Sequence, residues 1–220
     1  MTVHDERMTR FRAAGLYLVT SQSLSAGRTT LEVLEAALRG GVKLVQLREK
    51  EMPLRELYAI AIEARRMTHE AGALLIINDR IDVALAIGAD GVHLGQDDLP
   101  IAAGREVAPD LVIGASTHSV AEAAEAIGEG ASYVNIGPIF RTKTKVWADE
   151  FLGLDGLNEI AATVSVPFTI MGGIKREHIP ELVEAGAQTI ALVTAVTKAP
   201  DVEAATRDLL LTIRGTSTAR

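Results

Sequence analysis

The segment VKLVQLREKEMPLRELYAIAIEARRMTHEAG, residues 42–72, contains one complete strand-and-helix unit and decides the fold. Residues 42–48 form a short Val- and Leu-rich run, which is typical of a buried strand. Over residues 53–70, apolar side chains recur with helical spacing on one face. Pro53 suits the first turn of this helix, and Gly72 ends it. The segment therefore predicts a buried strand followed by an amphipathic helix.

The same alternation occurs eight times along the chain. The predicted strand and helix of each unit are 15–20 with 29–39, 42–48 with 53–70, 73–79 with a short helix to 87, 91–95 with 101–107, 111–116 with 120–127, 133–139 with 154–163, 167–173 with 177–185, and 189–196 with 202–213. Eight such units predict an α/β fold, a single (β/α)8 TIM barrel, over residues 15–214. An open, doubly wound sheet is the alternative, because alternation does not show that the sheet closes. We expect residues 1–14 to form an N-terminal extension, with a helix over 2–13 below the barrel, and residues 215–220 to form a frayed tail.

Composition excludes several classes of protein. The 220 residues include 22 basic and 29 acidic side chains, and the net charge of -7 argues against partners such as nucleic acid or a membrane surface. There is no cysteine, so neither a disulfide framework nor a thiolate site can form. The polar N-terminus lacks the apolar stretch of a signal peptide, and no run is long enough to span a membrane. We expect a cytoplasmic protein, and a homo-oligomer is compatible with the sequence. With only 4% aromatic residues, the barrel interior is expected to be filled by Val, Ile, Leu and Ala.

Polar residues cluster after the predicted strands, where the loops of a closed barrel meet at one mouth. Gln46, Arg48 and Lys50 follow the second strand at i, i+2, i+4 spacing, which puts three hydrogen-bonding groups on one side of an extended segment. Two of these groups are cationic. The pattern predicts an anion site, although an isolated basic pair is more often a solvated surface feature.

Two carboxylates follow the third and fourth strands. Asp79 and Asp98 are candidate ligands for a hard divalent cation such as Mg²⁺, which prefers oxygen and commonly bridges carboxylates to substrate phosphates. For Asp79 the alternative is that it caps the next helix. Asp97 fits a cap or a turn, and His93 is interpreted as a packed interior histidine.

Two pairs of residues after the seventh and eighth strands indicate a second anion site. Gly172-Gly173 precedes a helix, and Val193-Thr194 ends the eighth strand, where barrels often bind phosphate on backbone N–H groups. Glycine lets the backbone approach a ligand closely. Outside a barrel, a Gly-Gly pair would be read as an ordinary tight turn. Two anion sites predict two phosphorylated substrates.

Six motifs occur in order at these strand ends, namely QLREK at 46–50, NDR at 78–80, DGVHLGQDD at 90–98, GAST at 114–117, IGPIFRTKTK at 136–145 and GGI at 172–174. With these motifs the chain resembles the thiamine phosphate synthase family. The resemblance covers residues 15–214. It implies a (β/α)8 barrel that uses Mg²⁺ to join 4-amino-5-hydroxymethyl-2-methylpyrimidine diphosphate to a thiazole phosphate or its carboxylate. The implied products are thiamine phosphate and diphosphate.

The resemblance also implies roles for individual residues. The pyrimidine diphosphate would be bound by Gln46, Leu47, Arg48, Glu49, Lys50, Asn78, Ser116 and Lys145; the thiazole phosphate by Thr142, Thr144, Gly173, Val193 and Thr194; and Mg²⁺ by Asp79 and Asp98. Arg48, Lys50 and Lys145 are the implied catalytic residues, because a leaving diphosphate needs positive charge where its own negative charge grows. Lys143 is expected to be solvated.

Two other functions are compatible with a barrel of this outline. A thiazole tautomerase is the nearest rival, but it does not carry the full diphosphate and Mg²⁺ set of Lys50, Asp79, Asp98 and Lys145. A non-catalytic sensor that binds a phosphorylated vitamin precursor is the second alternative. It predicts saturable binding without turnover.

Overall fold

Eight short parallel strands close into a barrel in the order of the sequence, with β1 paired to both β2 and β8. The computed structural model describes residues 1–142 and 151–218. The strands are β1 (Leu16–Val19), β2 (Leu44–Leu47), β3 (Leu74–Asn78), β4 (Gly91–Leu94), β5 (Val112–Thr117), β6 (Tyr133–Ile136), β7 (Phe168–Ile170) and β8 (Thr189–Leu192). This closure confirms the predicted (β/α)8 barrel and excludes the open sheet.

Helices lie around the barrel and at its two ends. They are α1 (Val3–Arg12), α2 (Thr30–Arg39), α3 (Leu54–Glu70), α4 (Ile81–Ala86), α5 (Ile101–Val107), α6 (Val120–Gly128), α7 (Gly153–Ala161), α8 (Ile179–Glu184), α9 (Thr194–Thr197) and α10 (Val202–Thr218). Short 3-10 turns occupy Gln22–Leu24 and Arg176–His178. Helix α10 extends past Gly215, so residues 215–218 continue this helix where the sequence predicted a frayed tail. No helix in the described part of the chain is long and apolar enough to cross a membrane.

The first helix packs against the amino-terminal end of the barrel. A capping box at Thr2 begins α1, and its Met8 and Phe11 are buried among the interior side chains of the strands. The Phe11 ring centre lies 4.5 Å from that of Tyr133 and 6.3 Å from that of Tyr17. In the described part of the chain, α1 therefore closes the barrel from below, and a cavity opens at the carboxyl ends of the strands, where a ligand can enter.

Two of the three tyrosines lie inside the barrel, which differs from the expected aliphatic interior. Tyr17 and Tyr133 are both about 1% exposed or less. A Cβ atom on Gly114 would lie 2.1 Å from Cζ of Tyr133, so only glycine on β5 leaves room for this ring. Glycine at 114 is thus required by packing, because the neighbouring strand places a large side chain against it.

Candidate active site

A cavity of about 670 Å³ opens at the carboxyl ends of the strands. Most of the predicted site residues line it, namely Gln46, Arg48, Lys50, Asn78, Asp79, Asp98, Ser116, Thr142, Gly173, Val193 and Thr194. They come from the carboxyl ends of seven strands, β2 to β8, or from the segments that follow them, and barrel closure brings them together. Lys145 and Thr144 lie outside the described residues.

Positive charge is concentrated in this cavity. Among the described residues, five cationic side chains line it against three carboxylates, although the whole chain carries a net charge of -7. Arg48 and Lys50 are on one side, while Arg141, Lys175 and Lys198 are nearer the loops after β6, β7 and β8. A cleft lined with cations attracts anionic ligands even when the surface as a whole is acidic.

Leu47 and Glu49 do not line the cavity, unlike their neighbours in the QLREK motif. Side chains alternate along an extended segment, so these two face away from the mouth. Leu47 is 1% exposed and packs in the core between barrel and helices. The Glu49 carboxylate accepts hydrogen bonds from Thr20 Oγ1 at 2.9 Å, Thr30 Oγ1 at 2.6 Å and the Gln22 backbone N–H at 2.8 Å. The placement of both side chains gives no support to the substrate contacts that the resemblance implied for them.

Glu49→Ala is expected to destabilise the fold. The change leaves the buried hydroxyls of Thr20 and Thr30 without their acceptor, and one unpaired buried polar group costs about 1–3 kcal/mol. Urea unfolding should therefore show a loss of about 2 kcal/mol. Glu51→Ala, at an exposed neighbouring glutamate, is the matched control. Equal unfolding midpoints for the two variants would contradict this role for Glu49.

Two carboxylates meet at one end of the cavity. Asp79 follows β3 with φ at +61°, and its side chain lies next to that of Asp98. Asp98 Oδ2 also accepts the Gly95 N–H at 2.6 Å, and Lys50 Nζ lies 3.3 Å from Asp79 Oδ2. Burial raises the pKa of Asp79, the Asp98 carboxyl raises it further, and the Lys50 ammonium opposes the rise.

The carboxylate pair fits a magnesium ion by the chemistry of its donors. Mg²⁺ is commonly held by one or two carboxylates with the remaining positions taken by water and substrate phosphates. Among residues 1–142 and 151–218, no group of three or more His, Cys, Asp or Glu side chains could hold a metal. Asp79 does not cap α4, because this helix begins at Ile81 with Arg80 in the cap position and no side-chain cap bond. The carboxylate of Asp79 thus contacts Lys50 and Asp98 in the cavity and not the start of α4.

The opposite end of the cavity is built from tight backbone packing. Gly172 and Gly173 have φ values of +104° and +63°, and the Phe140 N–H bonds to the Gly172 carbonyl at 2.9 Å. A Cβ atom on Gly173 would lie 2.4 Å from the Arg141 carbonyl oxygen. Within the described residues, the N–H groups of Gly173 and Thr194 donate to no other protein group. Both groups are therefore available to an anion in the cavity.

Some cavity residues were not assigned from the sequence. Asn135 lines the cavity from β6, and its Oδ1 accepts the buried Thr169 hydroxyl at 2.7 Å. The sequence feature that could have identified Asn135 as a site residue is its polar side chain inside an otherwise apolar strand. Gln96 donates to the Ser116 carbonyl at 2.6 Å, and His118 also reaches the cavity, where its Nδ1 lies 3.1 Å from Glu122 Oε2. Lys175 and Lys198 have no local sequence signal beyond their charge.

His93 lies in the floor of the cavity. It is 5% exposed, and burial lowers its pKa to about 4, so the ring is neutral at pH 7. Its Nε2 lies 2.9 Å from Ser116 Oγ and its Nδ1 lies 2.9 Å from Tyr133 Oη. The interpretation of His93 as an interior histidine agrees with this burial, while its contact with a predicted site residue was not foreseen.

Comparisons with known proteins place these features in a family. Residues 16–196 match the family model described as thiamine monophosphate synthase. The thiamine-phosphate synthase of Chloroflexus aurantiacus is 47% identical over 194 residues, which cover 88% of this chain and 90% of the relative. That of Pyrococcus horikoshii is 45% identical over 194 residues, covering 88% and 92%.

Solved structures agree with the sequence matches. The thiamine phosphate pyrophosphorylase from Pyrococcus furiosus superposes with a TM-score of 0.86 at 39% identity, covering 94% of this chain and 98% of the other. A 3-hexulose-6-phosphate synthase superposes with a TM-score of 0.69 at 19% identity, covering 90% and 99%. The second likeness concerns the barrel fold alone.

Proposed function

The chain belongs to the thiamine monophosphate synthase family, and we propose that it joins the pyrimidine diphosphate to the thiazole phosphate, releasing diphosphate and giving thiamine phosphate. The observation that carries the proposal is one cavity of about 670 Å³ with an anion-binding arrangement at each end. Arg48, Lys50 and the carboxylate pair form one end. Gly173 and the Val193-Thr194 backbone form the other. One cavity that receives two anionic groups suits the joining of two phosphorylated substrates.

At the first end, the protein stabilises a leaving group. The bond from the pyrimidine methylene carbon to the diphosphate oxygen breaks, and its electron pair leaves with the diphosphate. Arg48, Lys50 and Lys145 provide positive charge where this negative charge grows, and Arg48 can grip two oxygens at once. Asn78 and Ser116, which line the same cavity, complete the proposed diphosphate and pyrimidine contacts. When bound, Mg²⁺ would neutralise further phosphate charge, and Asp79 and Asp98 are the residues that would hold it.

At the second end, the protein positions the nucleophile. Thr142, Thr144, Gly173, Val193 and Thr194 are proposed to bind the thiazole phosphate. The thiazole nitrogen then donates its lone pair to the methylene carbon and forms the new C–N bond. Because this step needs neither a proton transfer nor a protein nucleophile, positioning and exclusion of water are the main contributions of the chain.

One assay tests the proposal. Purified protein is incubated with both substrates and Mg²⁺, and thiamine phosphate and diphosphate are quantified together. We expect equal amounts of the two products and loss of turnover on chelation of the metal. Isomerisation of the thiazole without thiamine phosphate would indicate the tautomerase function, and saturable binding of the substrates without any product would indicate the sensor. The cytoplasmic location and the homo-oligomer stay predictions.

Gly173→Ala tests the second anion end. The added methyl group would collide with the Arg141 carbonyl oxygen and would force a residue with φ at +63° into a strained backbone. We expect the KM for the thiazole phosphate to rise about tenfold, the loss of one modest hydrogen bond to an anion, with a much smaller change for the pyrimidine substrate. Gly186→Ala also has a positive φ, +96°, but its Cβ would contact nothing, which makes it the control for backbone strain alone. Equal effects on both substrates would contradict the assignment.

A further inference from the structure

A continuous set of hydrogen bonds crosses the barrel beneath the cavity. Gln46 Nε2 lies 2.8 Å from Tyr17 Oη, Tyr17 Oη lies 2.9 Å from Tyr133 Oη, and His93 connects Tyr133 to Ser116 with two bonds of 2.9 Å. We call these five residues the interior network. The network begins at Gln46 on β2 and ends at Ser116 on β5, so it joins two walls of the cavity that lie across the barrel from each other.

The donor at one end fixes the direction of every bond. The Gln46 amide nitrogen can only donate, so Tyr17 accepts from it. Among the described residues, Tyr133 Oη is the one acceptor within reach of the buried Tyr17 proton, so Tyr17 donates to Tyr133. Tyr133 must then donate to Nδ1 of His93. A neutral ring that accepts at Nδ1 carries its proton on Nε2, and that proton is donated to Ser116 Oγ.

This direction determines what the two ends offer a ligand. Gln46 and Ser116 both line the cavity. Since Gln46 Nε2 faces the network, its carbonyl Oε1 has no partner among the described residues and is an acceptor open to the cavity. With His93 as the donor, Ser116 Oγ accepts this bond and keeps its own hydroxyl proton for a group in the cavity. The Gln46 wall of the cavity therefore offers a hydrogen-bond acceptor, and the Ser116 wall offers a donor.

The packing around the network holds this arrangement in place. Tyr17 and Tyr133 are fully enclosed, and the Tyr133 ring is wedged between Phe11 below and Gly114 at its side. None of the described buried side-chain polar atoms lacks a partner, so reversing one bond requires reversing all of them together. A cooperative network of this kind defines one pattern of donors and acceptors.

Gln46 and Ser116 already belong to the pyrimidine site that the family resemblance implies. We propose that Tyr17, Tyr133 and His93 set the selectivity of that site for the aminopyrimidine ring, by holding Gln46 as the acceptor for the exocyclic amine and Ser116 as the donor to the ring nitrogen across from it. The inference rests on the proposed function and deepens it. In a 4-aminopyrimidine the amine is a donor, and N1, at the opposite end of the ring, is an acceptor. This pattern is complementary to the two walls. A 4-oxo ring replaces the donor by an acceptor and would leave Gln46 Oε1 facing another oxygen.

Tyr17, Tyr133 and His93 act in this proposal as positioning residues, since none of them needs to touch the substrate. Their effect reaches the ligand only through the orientation of the Gln46 amide and the Ser116 hydroxyl. A purely structural role would lower stability without changing which ring is preferred. The preference between two rings is therefore the quantity to measure.

The first experiment measures binding of 4-amino- and 4-oxo-pyrimidine diphosphates by calorimetry. Sites built to hydrogen-bond a polar group reject mismatched analogues strongly, so the wild type should prefer the amino ring by about 100-fold or more. Tyr133→Phe should lower this ratio at least about tenfold, mainly by weakening amino-ring binding, and should raise the KM for the pyrimidine substrate but not for the thiazole phosphate. Tyr58→Phe removes a hydroxyl from an exposed site on α3 and is the matched control. Tyr17→Phe cuts the same network next to Gln46 and replaces Tyr133→Phe if the latter does not fold.

The second experiment reads the direction of the bonds in the wild type. Nitrogen-15 NMR of the histidine rings, with His93 assigned by its loss in His93→Gln, should show the tautomer protonated on Nε2. The tautomer protonated on Nδ1 would mean that the network runs in the reverse direction, and it would overturn the proposal.

The outcomes separate this inference from the function on which it rests. If both tyrosine variants keep the full preference for the amino ring while the wild type forms thiamine phosphate, then the proposed role of the interior network is wrong and the proposed function stands. If the wild type prefers the amino ring and the variants do not, but the wild type forms no thiamine phosphate, then the proposed function is wrong and the role of the interior network stands.

Discussion

Asp79→Asn is expected to lower turnover at least 100-fold, roughly 3 kcal/mol of transition-state stabilisation, while the fold stays intact. The change removes one of the two carboxylates proposed to hold Mg²⁺ next to the leaving diphosphate. Asparagine is the cleanest replacement because Asp79 has φ at +61°, a backbone conformation that Asn tolerates better than Ala. Turnover as a function of Mg²⁺ concentration, together with direct Mg²⁺ binding by calorimetry, measures the effect.

The matched control for this prediction is Asp82→Asn. Asp82 is exposed and pairs with Arg80 at the start of α4, away from the cavity lining. We expect its turnover to stay close to that of the wild type. Metal-free Asp79→Asn protein should unfold no more easily than the wild type, because burial and the Asp98 carboxyl disfavour the charged form of Asp79. If Asp79→Asn binds Mg²⁺ with the same affinity as the wild type, the proposed metal site is wrong.

Metal binding at this pair should also depend on pH. Burial and the neighbouring Asp98 carboxyl raise the pKa of Asp79, so the group holds its proton to a higher pH than an isolated aspartate does. Magnesium binds the deprotonated form, and its apparent affinity should therefore fall as the pH is lowered through that raised pKa.

Lys145→Ala is expected to reduce turnover by a similar amount, about 100-fold or more, because the leaving diphosphate loses a cation that acts mainly in the transition state. The KM values of both substrates should change far less than kcat. Single-turnover measurements with both substrates saturating isolate the chemical step. Lys145 lies outside the described residues, and its assignment rests on its position in the IGPIFRTKTK motif of the family.

Lys143→Ala provides the control for Lys145→Ala. The two lysines are two residues apart in the same segment and have the same charge, but Lys143 is predicted to be solvated. Equal losses in the two variants would show that the segment needs positive charge in general, and would remove the specific role of Lys145.

The polar pattern of the sequence predicted most of the cavity lining, because strand alternation and barrel closure follow simple rules. Gln46, Arg48 and Lys50 were expected on one side of the chain from their spacing alone, and all three line the cavity. The same spacing rule puts Leu47 and Glu49 on the other side. The family motif taken as a whole assigned both residues to the substrate. In the structure, the Glu49 carboxylate instead accepts hydrogen bonds from Thr20, Gln22 and Thr30, the last of which is the first residue of α2.

The sequence by itself determined the number of units, the order of strands and helices and the end of the barrel at which the polar residues meet, because these follow from local periodicity and chain connectivity. Only the tertiary structure decided that the sheet closes, that Asp79 faces Asp98 and that Tyr17, Tyr133 and His93 link Gln46 to Ser116. Those contacts join residues far apart in the chain, such as Tyr17 and Tyr133. Their geometry depends on strand register and on the space left by Gly114, which no local pattern of residues specifies.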